Sequence, residues 1–191
     1  MAKILFVGAA QSLTATVIEA FANAHPSADI RLTTDRPHAL KAGFTDRFEV
    51  LVGEPDDPFF MVEATAGVSH VYFGADVIRS NWVKAFVWAV SHYRREIEQV
   101  VLSTANLKAL DRRLCNLPVD YFELLEPLRR QHLDFQFVRE IGFNTKTDLL
   151  AEIIDNQSQI LRIGLQSNTW PQLMDRLLTN RASAWSGQIA N

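Results

Sequence analysis

The stretch KILFVGAAQSLTATVIEAF, residues 3–21, decides the fold. Residues 3–8, KILFVG, form a short apolar run rich in Val, Ile and Phe that ends on a glycine. Such a run suits a strand buried on both faces of a parallel sheet. Downstream, Leu13, Val17, Ile18 and Phe21 recur at helical spacing and predict an amphipathic helix over 12–25. Strand and helix are joined by a turn that carries one glycine, Gly8.

The same alternation continues outward. Strands are expected at 29–34, 48–54, 69–75, 99–105 and 134–143, the last with its exit loop. Between them, 37–44 reads as a short helix or turn, and 57–67 as a short helix started by Asp57 and Pro58 and stopped by Gly67. Long amphipathic helices are expected at 80–96, with Ser80 as its cap, and at 121–132, with Pro127 as a defect or kink. Strands alternating with helices require right-handed crossovers and a parallel sheet covered on both faces. The fold class is therefore α/β, a doubly wound, mostly parallel sheet in a single domain over 1–191. The part from about 145 to 191 is less regular and reads as a small C-terminal substrate-side segment. Within it, residues 146–157 look helical, 160–165 strand-like, and 168–181 helical with Asn168 or Thr169 near the start.

The totals exclude several function classes. A net charge of −3 gives no electrostatic case for nucleic acid or an anionic membrane. No run approaches the ~20 apolar residues of a membrane span, and no secretory signal precedes the first strand, so a cytoplasmic protein is expected. The single cysteine, Cys115, permits no internal disulfide and reads as a packed or semi-exposed thiol. The five histidines, at 25, 38, 70, 92 and 132, show no metal-ligand spacing, so no metal is expected. Trp82, Phe86 and Trp88 share one long helix and mark either core or a homodimer seam.

The first turn carries the chemistry. A glycine after the first strand, opening the first helix, gives a tight bend, and the helix N-terminus offers free N–H groups to a pyrophosphate. Gly8, Ala10, Gln11, Ser12 and Leu13 are the residues such an anion would meet. Asp35 ends the second strand about 20 residues on, the separation of a carboxylate that binds ribose hydroxyls. It would repel a 2′-phosphate and favours NAD over NADP, whereas Arg36 could turn onto that phosphate. The alternative for this corner is a plain polar turn.

These residues resemble the atypical short-chain dehydrogenase/reductases of the NmrA-like, NAD(P)H-binding kind, with a Rossmann-like fold. The resemblance rests on Gly8-Ala9-Ala10-Gln11-Ser12-Leu13-Thr14 set against G-A-T-G-x-x-G. It rests also on GEPDDP at 53–58, on the Ser103-Thr104 pair, and on the ungapped run from Arg129 to Gly142. It implies a nicotinamide cofactor, NAD or NADP, with its adenosine near Asp35 and Glu54 and its nicotinamide near Phe73, Gly74, Ala75 and Ser103. It implies Ser103 and Thr104 as carbonyl-orienting hydroxyls and Tyr121 as proton donor. The departures are Gln11 and Thr14 in place of two glycines, and Leu125 where a Tyr-x-x-x-Lys pair would put its lysine. Two functions follow. One is an NAD(P)H-dependent reductase of a small carbonyl, quinone or flavin-like compound. The other is a non-catalytic dinucleotide sensor or pseudoenzyme acting through a protein partner.

Overall fold

The computed structural model describes residues 3–74, 80–93, 95–104, 121–143, 148–155, 160–166 and 170–179. Its strands are β1 (Lys3–Val7), β2 (Asp29–Thr34), β3 (Glu49–Val52), β4 (Val68–Gly74), β5 (Gln99–Thr104), β6 (Phe135–Phe143), β7 (Asp148–Asp155) and β8 (Ile160–Gln166). Its helices are α1 (Ser12–Ala24), α2 (Phe44–Arg47), α3 (Pro58–Ala64), α4 (Ser80–His92), α5 (Tyr121–Arg130) and α6 (Trp170–Thr179). The strands form one sheet in the order β3-β2-β1-β4-β5-β6-β7-β8. β1 to β6 pair in parallel, and β7 and β8 add an antiparallel hairpin at one edge. The chain winds outward from β1 to β3, then returns to β4 on the other side of β1. That reversal is a topological switch point between β1 and β4, and open α/β sheets bind ligands outside the carboxyl ends of the strands at such a point.

Apolar residues on both sheet faces account for the two layers. Val17, Ile18 and Phe21 of α1 are buried with Ile4, Phe6, Tyr72 and Val101. On the opposite face, Met61 and Ala64 of α3, Val83, Phe86 and Ala89 of α4, and Leu125 and Leu128 of α5 pack with Leu5, Val71, Phe73 and Leu102. Phe86 is core, while Trp82 and Trp88 are only partly covered. The expected start of α3 is present: the Asp57 carboxylate accepts from the Phe59 N–H at 2.9 Å, and Pro58 follows. α4 ends at His92, short of the expected 96, and α5 runs through Pro127.

Residues 148–155 correct the sequence expectation. They form strand β7, not a helix. Leu and Ala in DLLAEIID favour helix intrinsically, but this segment lies between two partners and hydrogen-bonds to both, with Val138 opposite Ile153 and Ile153 opposite Leu161. Sheet pairing outweighs a propensity of a few tenths of a kcal/mol per residue. The following helix, α6, returns to the α1 face, where Trp170, Leu173, Met174, Leu177 and Leu178 join the same core as Phe21. A 2.7 Å contact between His25 Nε2 and Asp175 Oδ1 ties the two helices together.

At the other end of the sheet, Arg31 on β2 is buried. Its Nη1 donates to the carbonyls of Glu63, Ala64 and Ala66 at 3.2, 2.9 and 2.8 Å, and its Nη2 to Glu49 at 2.9 Å. Glu49 also receives Lys3 at 2.9 Å. The Arg31 hydrogen bond, then that of Lys3, holds the Glu49 carboxyl well below the usual range, at about 2. A carboxyl depressed in the folded state adds stability that is whole above its ordinary range and lost as pH falls through it. Between pH 5 and 3, the chain should therefore lose roughly 1 kcal/mol more stability than Glu49→Gln, the figure allowing for solvent screening of a partly exposed carboxylate. Urea melts of both proteins across that range check this.

Candidate cofactor site at the strand ends

Gly8 follows β1 with φ +84, a left-handed conformation that costs a side-chain-bearing residue energy. Space excludes a side chain as well: a Cβ here would run into the Gly74 carbonyl oxygen at the end of β4. The turn closes when the Gln11 N–H donates to the Gly8 carbonyl at 3.0 Å, and the Ala9 N–H is taken by the Thr33 carbonyl at 3.1 Å. Gln11 is the residue before α1, with φ −77 and ψ 136. This is ordinary extended backbone, so losing the second glycine costs nothing conformationally. The Gln11 carbonyl accepts from the Ala15 N–H at 2.9 Å, but its side chain does not cap the helix. The first turn of α1 carries no acidic residue either. The first N–H groups of α1 therefore have no side-chain cap, and the space a Cβ on Gly8 would fill is taken by the Gly74 carbonyl. Gln11 Cγ lies 3.9 Å from where a Gly8 Cβ would stand, so the base of this side chain lies beside the turn.

The loss of the third glycine has a compensating partner. Thr14 is 1% exposed, and its Oγ1 lies where a Cβ on Gly74 would be. The room that a glycine in the helix would have provided is supplied from the strand instead. The ring of Tyr72, two residues earlier on the same face, also leans over Gly74. Gly8, Thr14, Tyr72 and Gly74 thus form one packed unit that brings α1 against β4.

Asp35 and Arg36 follow β2 and are exposed, with Arg36 Nε 3.6 Å from Asp35 Oδ1. The Arg36 N–H donates to Thr34 Oγ1 at 2.9 Å, and the Gly53 N–H to the Thr34 carbonyl at 3.0 Å. These bonds hold the ends of β2 and β3 side by side, which brings exposed Glu54 to the same edge as Asp35. A Cβ at Gly53 would enter the Phe60 ring, so any side chain there would have to displace that ring.

Two expected side chains point elsewhere. Phe73 is fully buried and packs edge-to-face on Phe86 with centroids 5.4 Å apart, so only its backbone reaches the strand end. Ser103 stands opposite Gly74 in the sheet and is 1% exposed, with its hydroxyl inside the α1 layer beside Tyr72. Strand alternation is the reason in both cases: Phe73 and Leu102 face α4, so Tyr72 and Ser103 face α1. Burial pushes the Tyr72 phenol well above its usual range, and the nearby Ser103 hydroxyl acts in the opposite direction. The backbones of Ser12 and Leu13 lie in the first turn of α1, and Ala10 is half-buried in the turn before it. Thr104 ends β5 and Tyr121 starts α5, but their side chains, and all of Ala75 and Cys115, lie outside the described residues. Among the described residues, no three His, Cys, Asp or Glu gather as metal ligands, and no helix is long and apolar enough to cross a membrane.

No family model matches the chain, and no curated protein matches it. Solved structures do. A Rossmann-fold NAD(P)-binding family protein from Shigella flexneri aligns at TM-score 0.58 and 13% identity, over 73% of this chain and 66% of that one. A short-chain dehydrogenase/reductase from Veillonella parvula, solved with NADP, aligns at 0.55 and 19%, over 71% and 67%. Triphenylmethane reductase from Citrobacter sp., solved with NADP(H), aligns at 0.57 and 17%, over 73% and 50%. The chain thus spans between half and two thirds of these proteins. At these identities the likeness is one of fold: the chain has a Rossmann-like architecture, with the doubly wound sheet that the alternation of elements predicted.

Proposed function

We propose that this protein binds a nicotinamide dinucleotide across the carboxyl ends of β1, β2 and β4, as an oxidoreductase-like protein. The observation that carries the reading is the uncapped first turn of α1 beside Gly8, whose missing Cβ lets backbone close on Gly74. Gly8, Ala10, Gln11, Ser12 and Leu13 would hold the pyrophosphate, and Asp35 and Glu54 the adenosine ribose. The backbone of Phe73 and Gly74 would hold the nicotinamide end. A bound nicotinamide supplies a hydride for a small carbonyl, quinone or flavin-like substrate. The solved proteins of this fold found with NADP or NADP(H) support a nicotinamide cofactor, and Asp35 inclines the chain toward NAD.

A second reading, a dinucleotide sensor without catalysis that acts on a protein partner, is favoured by one observation. The Ser103 hydroxyl is sealed inside the α1 layer rather than offered to a substrate. Assaying NADH oxidation with quinone and flavin acceptors separates the two readings, since turnover supports the reductase and binding without turnover the sensor.

Asp35→Ala should weaken NADH about tenfold, the loss of one or two hydrogen bonds to a charged group, and leave NADPH almost unchanged. Tryptophan-fluorescence titrations measure both, and a variant that loses NADPH instead reverses the cofactor assignment. Gln11→Gly clears the side chain from beside the turn and should tighten NADH about fivefold, on the order of 1 kcal/mol. Weaker binding in that variant would mean that the Gln11 amide donates to the phosphate.

A further inference from the structure

We infer that the layer between the sheet and helices α1 and α6 encloses a buried polar site that binds water, built from Tyr72, Gln99, Ser103, Gln136 and Trp170. The sheet register places four of these on one face of neighbouring strands. Tyr72 stands opposite Val101, which stands opposite Gln136, and Gln99 and Ser103 flank Val101 on the same strand. Tyr72, Val101 and Trp170 belong to the core under α1 and α6, so this polar row faces the helices. All five side chains are at least 97% buried.

Tyr72 Oη, Ser103 Oγ, Gln99 Oε1 and Nε2, Gln136 Oε1 and Trp170 Nε1 each lack a protein hydrogen-bond partner. Unpartnered buried polar atoms are rare and costly one at a time. Six of them on three adjacent strands and the helix above form a set. The set is also complementary. Trp170 Nε1 and Gln99 Nε2 donate, Gln99 Oε1 and Gln136 Oε1 accept, and the two hydroxyls do either. Tyr72 and Ser103 are close enough for one to perturb the other without forming a direct hydrogen bond of good geometry. Internal water, which makes about three hydrogen bonds to such groups, is the ligand this chemistry fits. Ser103 then belongs to the floor of the α1–α6 layer, held from inside, and its role is independent of whether cofactor binds at the strand ends.

Water oxygen-17 relaxation dispersion on the full chain tests the site, because it counts waters held far longer than surface water. The wild type should show a dispersion step, and Tyr72→Phe, which keeps the ring and removes one hydroxyl, should lose at least one such water. Its Tm should fall by about 2–4 °C, the shift expected for one lost hydrogen bond in a chain of this size. Gln136→Leu should act in the same direction. The inference is overturned if the wild type shows no step, or if the step is unchanged in a folded Tyr72→Phe whose Tm is equal or higher, as for removal of a dry polar group.

Discussion

Gly74→Ala is expected to destabilise the chain by about 3 kcal/mol, the upper end of the cost of overpacking a core. The added methyl would meet Thr14 Oγ1 and the Tyr72 ring, with Thr14 Cβ 3.1 Å away. Neither neighbour can retreat freely, because Thr14 is fixed in α1 and Tyr72 in the centre of the sheet. The mutation therefore has to push α1 off β4 and would open the turn at Gly8. Thr14→Ala in the same chain removes the oxygen and should return about 1 kcal/mol or more as coupling in a double-mutant cycle. Additive effects of the two substitutions would show that Thr14 does not occupy the space vacated at Gly74. Chemical denaturation of the four proteins of the cycle measures this.

Arg31→Met should cost a similar amount, about 3 kcal/mol, because it strands groups that the guanidinium serves. Three carbonyls at the end of α3 and its following turn would lose their donor, and Glu49 would keep only Lys3. The methionine replaces most of the apolar stem, so the loss reports the polar end rather than a cavity. Arg31→Lys should recover only part of the stability, since one ammonium cannot span three carbonyls and a carboxylate in the guanidinium's fork geometry. Full recovery with lysine would reduce the role of Arg31 to charge alone.

The fold was legible because its signals are local. The apolar run ending at Gly8, the α1 face of Val17, Ile18 and Phe21, and the Asp57-Pro58 start of α3 each follow from neighbouring residues. The alternation of elements then leaves one class of sheet. Residues 148–155 were not legible, because their strand identity comes from β6 and β8 on either side, not from DLLAEIID itself. The place of Asp35, exposed just after β2, was readable from the apolar run that precedes it. The direction of Ser103 was half readable: alternation sets it opposite Leu102, but only the packed helices reveal which face is which. The answer to Thr14 was invisible in the sequence, because Gly74 lies 60 residues away and meets it only once β1 and β4 are paired. Arg31 was hidden for the same reason, since its carbonyl partners come from the end of a helix on the far side of β3 in sequence.

On the proposed function, the turn at Gly8, with Gln11 and Thr14 in place of two glycines, receives a dinucleotide. Titrating the wild-type chain with NADH, followed through its four tryptophans and by calorimetry, tests it most directly. Saturable one-to-one binding with a dissociation constant below about 1 mM, roughly −4 kcal/mol, is the predicted result. A folded protein that shows no saturable binding of NADH or NADPH at several times that concentration would contradict it.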